Sequence, residues 1–249
     1  MKRLNEMTWE EFNQLDRIAT LFVLPLGSTE QHGERLPLGT DHFFAEKMAE
    51  EIALAIPGSI LMPTMNYGMS WHHTAFPGTM SISDSTYKLI IFDILCSITR
   101  HGFKKIFIAN GHGGNHHSIT DAITRVKALR NCEIANPLVD IATSNEFKQL
   151  IQAAFNENGV HAGAMEVSIM EYLFPNKPTL IKGAGCVTSI PNDAVWGQGT
   201  DSPEKWRELF PMGQKGNQKN SDPQKGKEIF DYITNKMVQI AKKMMEENS

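Results

Sequence analysis

The sequence has few cysteines, and those it has are far apart. They are Cys96, Cys132 and Cys186 in a chain of 249 residues. An odd number of widely separated cysteines gives neither a disulfide framework nor the paired C-x-x-C ligands of a structural zinc site. We therefore expect reduced thiols and a cytoplasmic protein.

Long apolar runs and an excess of basic charge are also missing. No segment approaches the roughly 18 consecutive apolar residues that a membrane helix needs, and the polar start MKRLNEMTWEEF lacks the apolar centre of a signal peptide. Lysine and arginine number 24 against 28 acidic residues, a net charge of -4, so there is no basic footprint for nucleic acid or an anionic membrane. These absences predict a small-molecule substrate, no nucleic-acid partner and no membrane partner.

What the sequence does have is an alternation of apolar runs and helical periodicity. With 41% hydrophobic residues, a chain of this length can bury one large α/β core. The alternation predicts right-handed crossovers and a mostly parallel sheet covered on both faces. The predicted strands are 19–28, 59–68, 104–111 and 132–141, and the predicted helices are 41–56, 83–102, 116–131, 143–159, 164–175 and a final one from about 222. The segment 197–223, rich in Gly, Gln, Asn, Lys and Pro, is predicted to be a surface loop.

The histidines are concentrated in one part of the chain. All nine lie between residues 32 and 161, and seven of them sit in loops or in turns between strand and helix. Because the loops at the carboxyl ends of parallel strands meet at one edge of a sheet, where ligands bind, we expect the side chains to converge. Three segments bring imidazoles and carboxylates to this edge: Glu30, His32 and Asp41 first, then His112, Asn115, His116 and His117, and finally His161 and Glu166.

Imidazole and carboxylate ligands without thiolates are typical of catalytic sites for zinc, manganese or iron. The candidate ligands are Glu30, His32, Asp41, His112 and Glu166, more than one catalytic zinc needs. A bridging carboxylate would let two ions lie roughly 3.5–4 Å apart, and Asp41 is our candidate for the bridge. Glu30 and His32 are two residues apart, so in an extended backbone their side chains point to the same side.

Four segments together resemble the successive signature blocks of the creatininase family, the creatinine amidohydrolase-like metal hydrolases. They are LPLGSTEQHGERLPLGTDHFFAEKMAEEIA, YGMSWHHTAFPGT, IFIANGHGGNHHS and HAGAMEVSIM, in the family's order. The resemblance implies a single domain over residues 1–249, an α/β fold built as a three-layer α/β/α sandwich with a mostly parallel mixed sheet. It also implies two divalent metal ions per subunit, zinc first with manganese or iron as alternatives, hydrolysis of a cyclic amide or a related C–N bond, and a homo-oligomer, commonly a hexamer.

The same resemblance gives each ion a set of ligands: Glu30, Asp41 and His112 for one, and His32, Asp41 and a further carboxylate for the other. Creatininase supplies that carboxylate from a glutamate two residues after the histidine of its NGH motif, where this chain has Gly114. We assign the role to Glu166 as a hypothesis.

The remaining candidate residues concern catalysis and the substrate. His161 matches the family's catalytic histidine and is predicted to move a proton from the attacking water to the leaving nitrogen, a role that Glu166 could share. Creatininase has a tryptophan just before this histidine, and its absence here, together with Gly114, argues against creatinine as the physiological substrate. The side chains predicted to contact substrate are Ser70, His72, His73 and Asn115.

Other interpretations stay open at this stage. Within the family, the substrate could be a formamide, or a cyclic ketone opened by C–C cleavage. In another class of function, the chain could be a metal-binding accessory protein without turnover. The first motif could also be a solvated loop, His161 a hydrogen-bonded structural histidine, and Glu166 a carboxylate at a helix start.

Overall fold

A parallel β-sheet lies at the centre of the fold. The computed structural model describes residues 1–157, 161–176 and 202–246. Its strands are β1 (Lys2–Arg3), β2 (Leu21–Leu26), β3 (Ile60–Leu61), β4 (Lys105–Asn110) and β5 (Glu133–Ala135). Their spatial order is β1-β3-β2-β4-β5, and neighbouring strands are parallel throughout. The central strands β2 and β4 are paired from Leu21 opposite Lys105 to Leu26 opposite Asn110.

Helices cover both faces of this sheet. They are α1 (Trp9–Asn13), α2 (Thr40–Ala55), α3 (Asp84–Thr99), α4 (His116–Leu129), α5 (Leu138–Thr143), α6 (Asn145–Phe155), α7 (Ala164–Leu173), α8 (Pro203–Leu209) and α9 (Pro223–Glu246). Across the described ranges, no helix combines the length and the apolar character that crossing a membrane requires.

Successive residues of β2 point to opposite faces, and this alternation builds two cores. On one face, Leu21 and Val23 belong to a buried cluster with α2, α5, α6, α7 and α9. On the other face, Phe22 and Leu24 pack with α3 and α4. The predicted three-layer α/β/α sandwich is thereby confirmed.

Most predicted elements are present, with bounds that differ by a few residues. The strands predicted at 19–28 and 104–111 correspond to β2 and β4, and the helices predicted at 41–56, 83–102 and 116–131 correspond to α2, α3 and α4. The strand predicted at 59–68 is confirmed only at Ile60–Leu61. At the N-terminus, β1 and α1 were not predicted, since both are too short for a periodic pattern to show.

Two predicted elements are wrong. Residues 132–141 are not one strand, because β5 ends at Ala135 and α5 begins at Leu138, directly after Pro137. The described part of 197–223 is not a surface loop either, because Ser202 caps α8 and Pro203 begins it. Residues 197–201, the end of the helix predicted at 143–159, and Cys186 lie outside the described residues.

The contact between α7 and α9 generates the first prediction. A Cβ on Gly226 of α9 would lie 2.0 Å from the carbonyl oxygen of Ser168 in α7. We expect Gly226→Ala to lower the free energy of unfolding by roughly 1–3 kcal/mol through overpacking, although alanine in an exposed helix is better than glycine by about 1 kcal/mol. Thermal unfolding followed by circular dichroism shows whether the substitution lowers or raises the melting temperature.

The matched control for this substitution is Asn235→Ala, at an exposed position of the same helix. It should leave the melting temperature unchanged or raise it slightly. A melting temperature of Gly226→Ala equal to that of the wild type, or above it, would contradict the close approach of the two helices.

Candidate metal centre

The candidate site lies where the chain leaves the carboxyl ends of β2 and β4. Glu30 and His32 follow β2, His112 follows β4, and Asp41 is in the first turn of α2. Each of these side chains is at most 5% exposed. The edge of the sheet therefore gathers the ionisable residues that the sequence placed after these two strands.

Glycines let these segments approach one another closely. A Cβ on Gly27 would lie 2.3 Å from the Cα atom of His42 in α2, and a Cβ on Gly111 would lie 2.3 Å from the carbonyl oxygen of Asp41. Neither position could hold a side chain without moving the start of α2. The two glycines thus allow Asp41 to sit against the ends of both central strands.

The carboxylate of Asp41 lies between two imidazoles. Its Oδ1 atom is 3.0 Å from Nε2 of His32, and its Oδ2 atom is 2.9 Å from Nδ1 of His112. The hydroxyl of Ser28 also donates to Oδ2 at 2.6 Å. Burial alone would raise the pKa of Asp41, but the two imidazoles hold it well below its usual range.

Glu30 faces the same cluster from a fully buried position. Its Oε2 atom is 3.2 Å from Nε2 of His112, and its Oε1 atom is 3.4 Å from Nε2 of His73. Neither carboxylate oxygen has a hydrogen-bond partner among the described residues. Burial raises the pKa of Glu30 to about 6, against the opposing effect of His112. Such a carboxylate is suited to a cation.

The two histidines beside Asp41 are strongly basic in the metal-free chain. Burial works to lower both values, but Asp41 raises the pKa of His32 to about 10. Glu30 and Asp41 raise the pKa of His112 to about 9 in the same way. The buried carboxylates thus favour positive charge at both imidazoles, which is the charge that a bound cation would supply.

Glu166 approaches His32 from α7. Its Oε2 atom is 3.9 Å from Nε2 of His32, and it accepts a hydrogen bond from the backbone N–H of Ala162. Burial raises the pKa of Glu166 to about 7. Glu166, the hypothetical third carboxylate ligand, thus lies near His32.

The atoms around Gly114 leave no room for a side chain. A Cβ at this position would lie 2.4 Å from Nε2 of His112 and 2.5 Å from the carbonyl oxygen of Met69. With the backbone placed in this way, position 114 cannot hold a side chain unless His112 or the backbone at Met69 moves. The third carboxylate of the cluster comes from α7 instead.

Potential ligand atoms form three overlapping groups, each with its atoms within 4.8 Å of one another. The groups are Glu30–Asp41–His112, His32–Asp41–Glu166 and Glu30–His32–His161. Asp41 belongs to the first two, which are the two ligand sets expected from the sequence. The donor set of carboxylates and imidazoles, with its unpartnered Glu30 oxygens, fits one or two divalent cations.

His161 lies beside these groups in a buried position. Its Nδ1 atom is 3.7 Å from Oε1 of Glu30, and its Nε2 atom is 2.9 Å from the side-chain nitrogen of Gln31. Burial and the positive charge of His32 hold the pKa of His161 well below its usual range, so the imidazole is neutral. The following residue, Ala162, has φ +51°, a conformation uncommon for a residue with a side chain and frequent at functional sites.

The predicted substrate residues surround the cluster but differ in what their polar atoms do. His73 is fully buried, and its Nδ1 atom accepts a hydrogen bond from the side-chain nitrogen of Gln31 at 2.9 Å. The Nε2 atom of His72 and the hydroxyl of Ser70 have no hydrogen-bond partner among the described residues. Asn115 bonds the backbone of Met69 and Gly27 through its amide, so it braces the loops. Its predicted contact with substrate stays a prediction.

Sequence reasoning missed the contribution of the segment 202–221. The backbone N–H of Lys215 donates to the carbonyl of His161 at 2.8 Å, and Gln218 donates to the carbonyls of His32 and Ala162. Trp206 is 5% exposed, and its ring centroid is 4.6 Å from that of His73. The Ser202-Pro203 start could have indicated a helix, but no pattern in the sequence shows where that helix packs.

Comparison with known proteins gives a consistent result over nearly the whole chain. Residues 5–241 match the family model described as creatininase, creatinine amidohydrolase. The creatinine amidohydrolase of Pseudomonas putida is 28% identical over 190 residues, which cover 70% of this chain and 72% of that protein. A mycofactocin precursor peptide peptidase of Mycobacterium ulcerans is 32% identical over 133 residues, covering 50% of this chain and 53% of that protein.

Solved structures show the same fold. A mutant creatininase described as the Zn-Zn type superposes with a TM-score of 0.78 at 22% identity, covering 98% of each chain. At this level of identity the superposition establishes the three-layer architecture.

The burial of Glu30 leads to the second prediction. Because its pKa is raised from 4.5 to about 6 in the folded chain, the stability it contributes is present below pH 4.5 and is lost as the pH rises through 6. At pH 8, with metal removed by EDTA, we expect Glu30→Gln to raise the free energy of unfolding, because it removes a buried negative charge. We also expect it to lose most of the rise in melting temperature that added zinc gives the wild type.

Glu157→Gln is the matched control, because Glu157 is a partly buried carboxylate outside the ligand groups. It accepts backbone hydrogen bonds from Ala164 and Asn217. Its replacement should keep the zinc-dependent rise in melting temperature. A Glu30→Gln protein that zinc stabilises as much as the wild type would show that Glu30 holds no metal.

Proposed function

This chain belongs to the creatininase family, and on that premise we propose that it is a two-metal hydrolase that cleaves a C–N bond in a small cyclic amide. The observation that carries the proposal is the position of Asp41, whose two carboxylate oxygens face two different ligand groups. A carboxylate shared in this way is what a pair of neighbouring divalent ions requires.

We assign Glu30, Asp41 and His112 to one ion and His32, Asp41 and Glu166 to the other. Zinc fits the imidazole-carboxylate set best, with manganese or iron as alternatives, and the Zn-Zn form of a fold neighbour supports this choice. When bound, two such ions lower the pKa of water to near neutrality and polarise the carbonyl group under attack.

The residues of the chain itself handle the protons. His161 is buried beside the ligand groups, with its Nδ1 atom 3.7 Å from Oε1 of Glu30, and we assign it to accept a proton from the attacking water and release it to the leaving nitrogen. Gln31 holds the imidazole through a contact of 2.9 Å at Nε2. Burial raises the pKa of Glu166 to about 7, which suits a second proton-transfer group. Glu166 could share this role with His161.

The proposed substrate is a small cyclic amide other than creatinine. The names of the curated relatives point to different substrates, among them creatinine, a precursor peptide and 3-dehydro-scyllo-inosose, so similarity alone does not select one. Gly114 and the absence of a tryptophan directly before His161 are two differences from creatininase itself. A homo-oligomer, a cytoplasmic location and a single domain stay predictions.

The third prediction tests the assignment of His161. Zinc-loaded protein is assayed against a panel of cyclic amides, formamides and cyclic ketones, with creatinine included for comparison. We expect turnover of a cyclic amide, weak turnover of creatinine, and a loss of roughly 10²–10⁴-fold in kcat for His161→Ala. The bound zinc, measured by elemental analysis, should equal that of the wild type.

Lys219→Ala is a suitable control, since this exposed residue lies in the same neighbouring segment but outside the ligand groups. It should keep full activity. Full activity in His161→Ala would contradict the proton-transfer role. If the metal-loaded wild type cleaves no C–N bond across the panel, the proposed function is wrong.

A further inference from the structure

Trp206 stands against the imidazoles of the site. Its ring centroid is 4.6 Å from that of His73 and 5.8 Å from that of His161, with nearly perpendicular ring planes in both cases. The rings of His73 and His161 are themselves stacked at 4.3 Å. The indole therefore borders the residue to which we assign proton transfer.

The indole N–H of Trp206 is buried without a partner. The residue is 5% exposed, and Nε1 has no hydrogen-bond partner in the described part of the chain. Buried tryptophan N–H groups usually find an acceptor, and leaving such a donor unpaired costs free energy. A phenylalanine would supply the same ring contacts without that cost, so an acceptor from a ligand is the natural partner of this N–H.

The segment that carries Trp206 is attached to the site within α8 and again just after it. The guanidinium of Arg207 donates to the carbonyl of Ala75 at 2.9 Å, which fastens α8 to the loop that carries His72 and His73. After the helix, the carbonyl of Gly213 accepts a hydrogen bond from the side chain of Gln31 at 2.7 Å. These two hydrogen bonds hold α8, and with it Trp206, beside the site.

Other buried polar atoms without partners lie near the same place. The ring of His72 is 5.2 Å from that of Trp206 and is stacked at 6.3 Å on that of His112, one of the assigned metal ligands. Its Nε2 atom is likewise unpartnered among the described residues. A small molecule reacting beside His161 and His112 would therefore lie within reach of both the His72 imidazole and the Trp206 indole.

We propose that Trp206 is a specificity-determining residue whose indole N–H donates a hydrogen bond to an acceptor atom of the substrate, a carbonyl oxygen or a ring nitrogen away from the bond that breaks. The ring at the same time covers one side of the bound molecule. This inference rests on the proposed function, because it takes the substrate to bind beside His161.

Two measurements test this inference. The first is NMR of protein labelled with ¹⁵N-tryptophan: the chain has four tryptophans, and Trp206→Phe assigns one of the four indole signals. The probes are hydantoin, dihydrouracil, creatinine and N-methylformamide. We expect the Trp206 N–H signal to move downfield with any probe that the wild type hydrolyses, and the signal of Trp9, which is 77% exposed, to stay in place.

The second measurement is steady-state kinetics of Trp206→Phe with the hydrolysed probe. Because a hydrogen bond away from the reacting atoms contributes equally to ground state and transition state, its loss raises KM with little change in kcat. We expect KM to rise at least tenfold, with the zinc content of the wild type and a melting temperature no lower than that of the wild type. Trp9→Phe is the matched control and should keep the wild-type KM.

The outcomes separate this inference from the proposed function. Hydrolysis of a probe with an unmoved Trp206 signal, or an unchanged KM in Trp206→Phe, would overturn the role of Trp206 and leave the hydrolase intact. A shifted signal without turnover would support the role of Trp206 and contradict the hydrolase. A signal that no probe moves and no turnover would refute both.

Discussion

Asp41 is buried with one carboxylate oxygen 3.0 Å from His32 and the other 2.9 Å from His112, and the rest of the site is arranged around that placement. A carboxylate removed from water needs positive partners, and here Glu30 and Glu166 add two more carboxylates to the same buried region. In the described part of the chain, the imidazoles of His32 and His112 face these carboxylates. Divalent cations would balance the negative charge of the three carboxylates, and the cluster has the composition of a metal centre.

The surrounding fold serves to hold this concentration of charge. Gly27 and Gly111 allow α2 to begin against the ends of the central strands, and α7 brings Glu166 to the side of His32. Arg35 then ties the first motif to distant parts of the chain, donating to Glu171 of α7 and to the carbonyl of Gln218. Arg35 and Gln218, which are 183 residues apart in the sequence, are thereby joined beside the site.

The sequence could predict what was local and what followed from the sheet. Glu30, His32 and Asp41 lie within one motif, and His112 follows the strand that pairs with β2, so the topology alone brings them to one edge. It could not predict the segment 202–221, because a helix of seven residues has too few turns to show periodicity. Gln218 lies in a polar stretch that looks like a surface loop in the sequence. In the fold it is buried, and its side chain donates to the backbone carbonyls of His32 and Ala162.

The most direct test of this account is anomalous X-ray diffraction at the zinc absorption edge from crystals of the zinc-loaded protein. The account predicts two anomalous peaks roughly 3.5–4 Å apart, with the carboxylate of Asp41 bound to both and Glu166 bound to the ion beside His32. A single peak, or two peaks with Asp41 bound to only one of them, would contradict it.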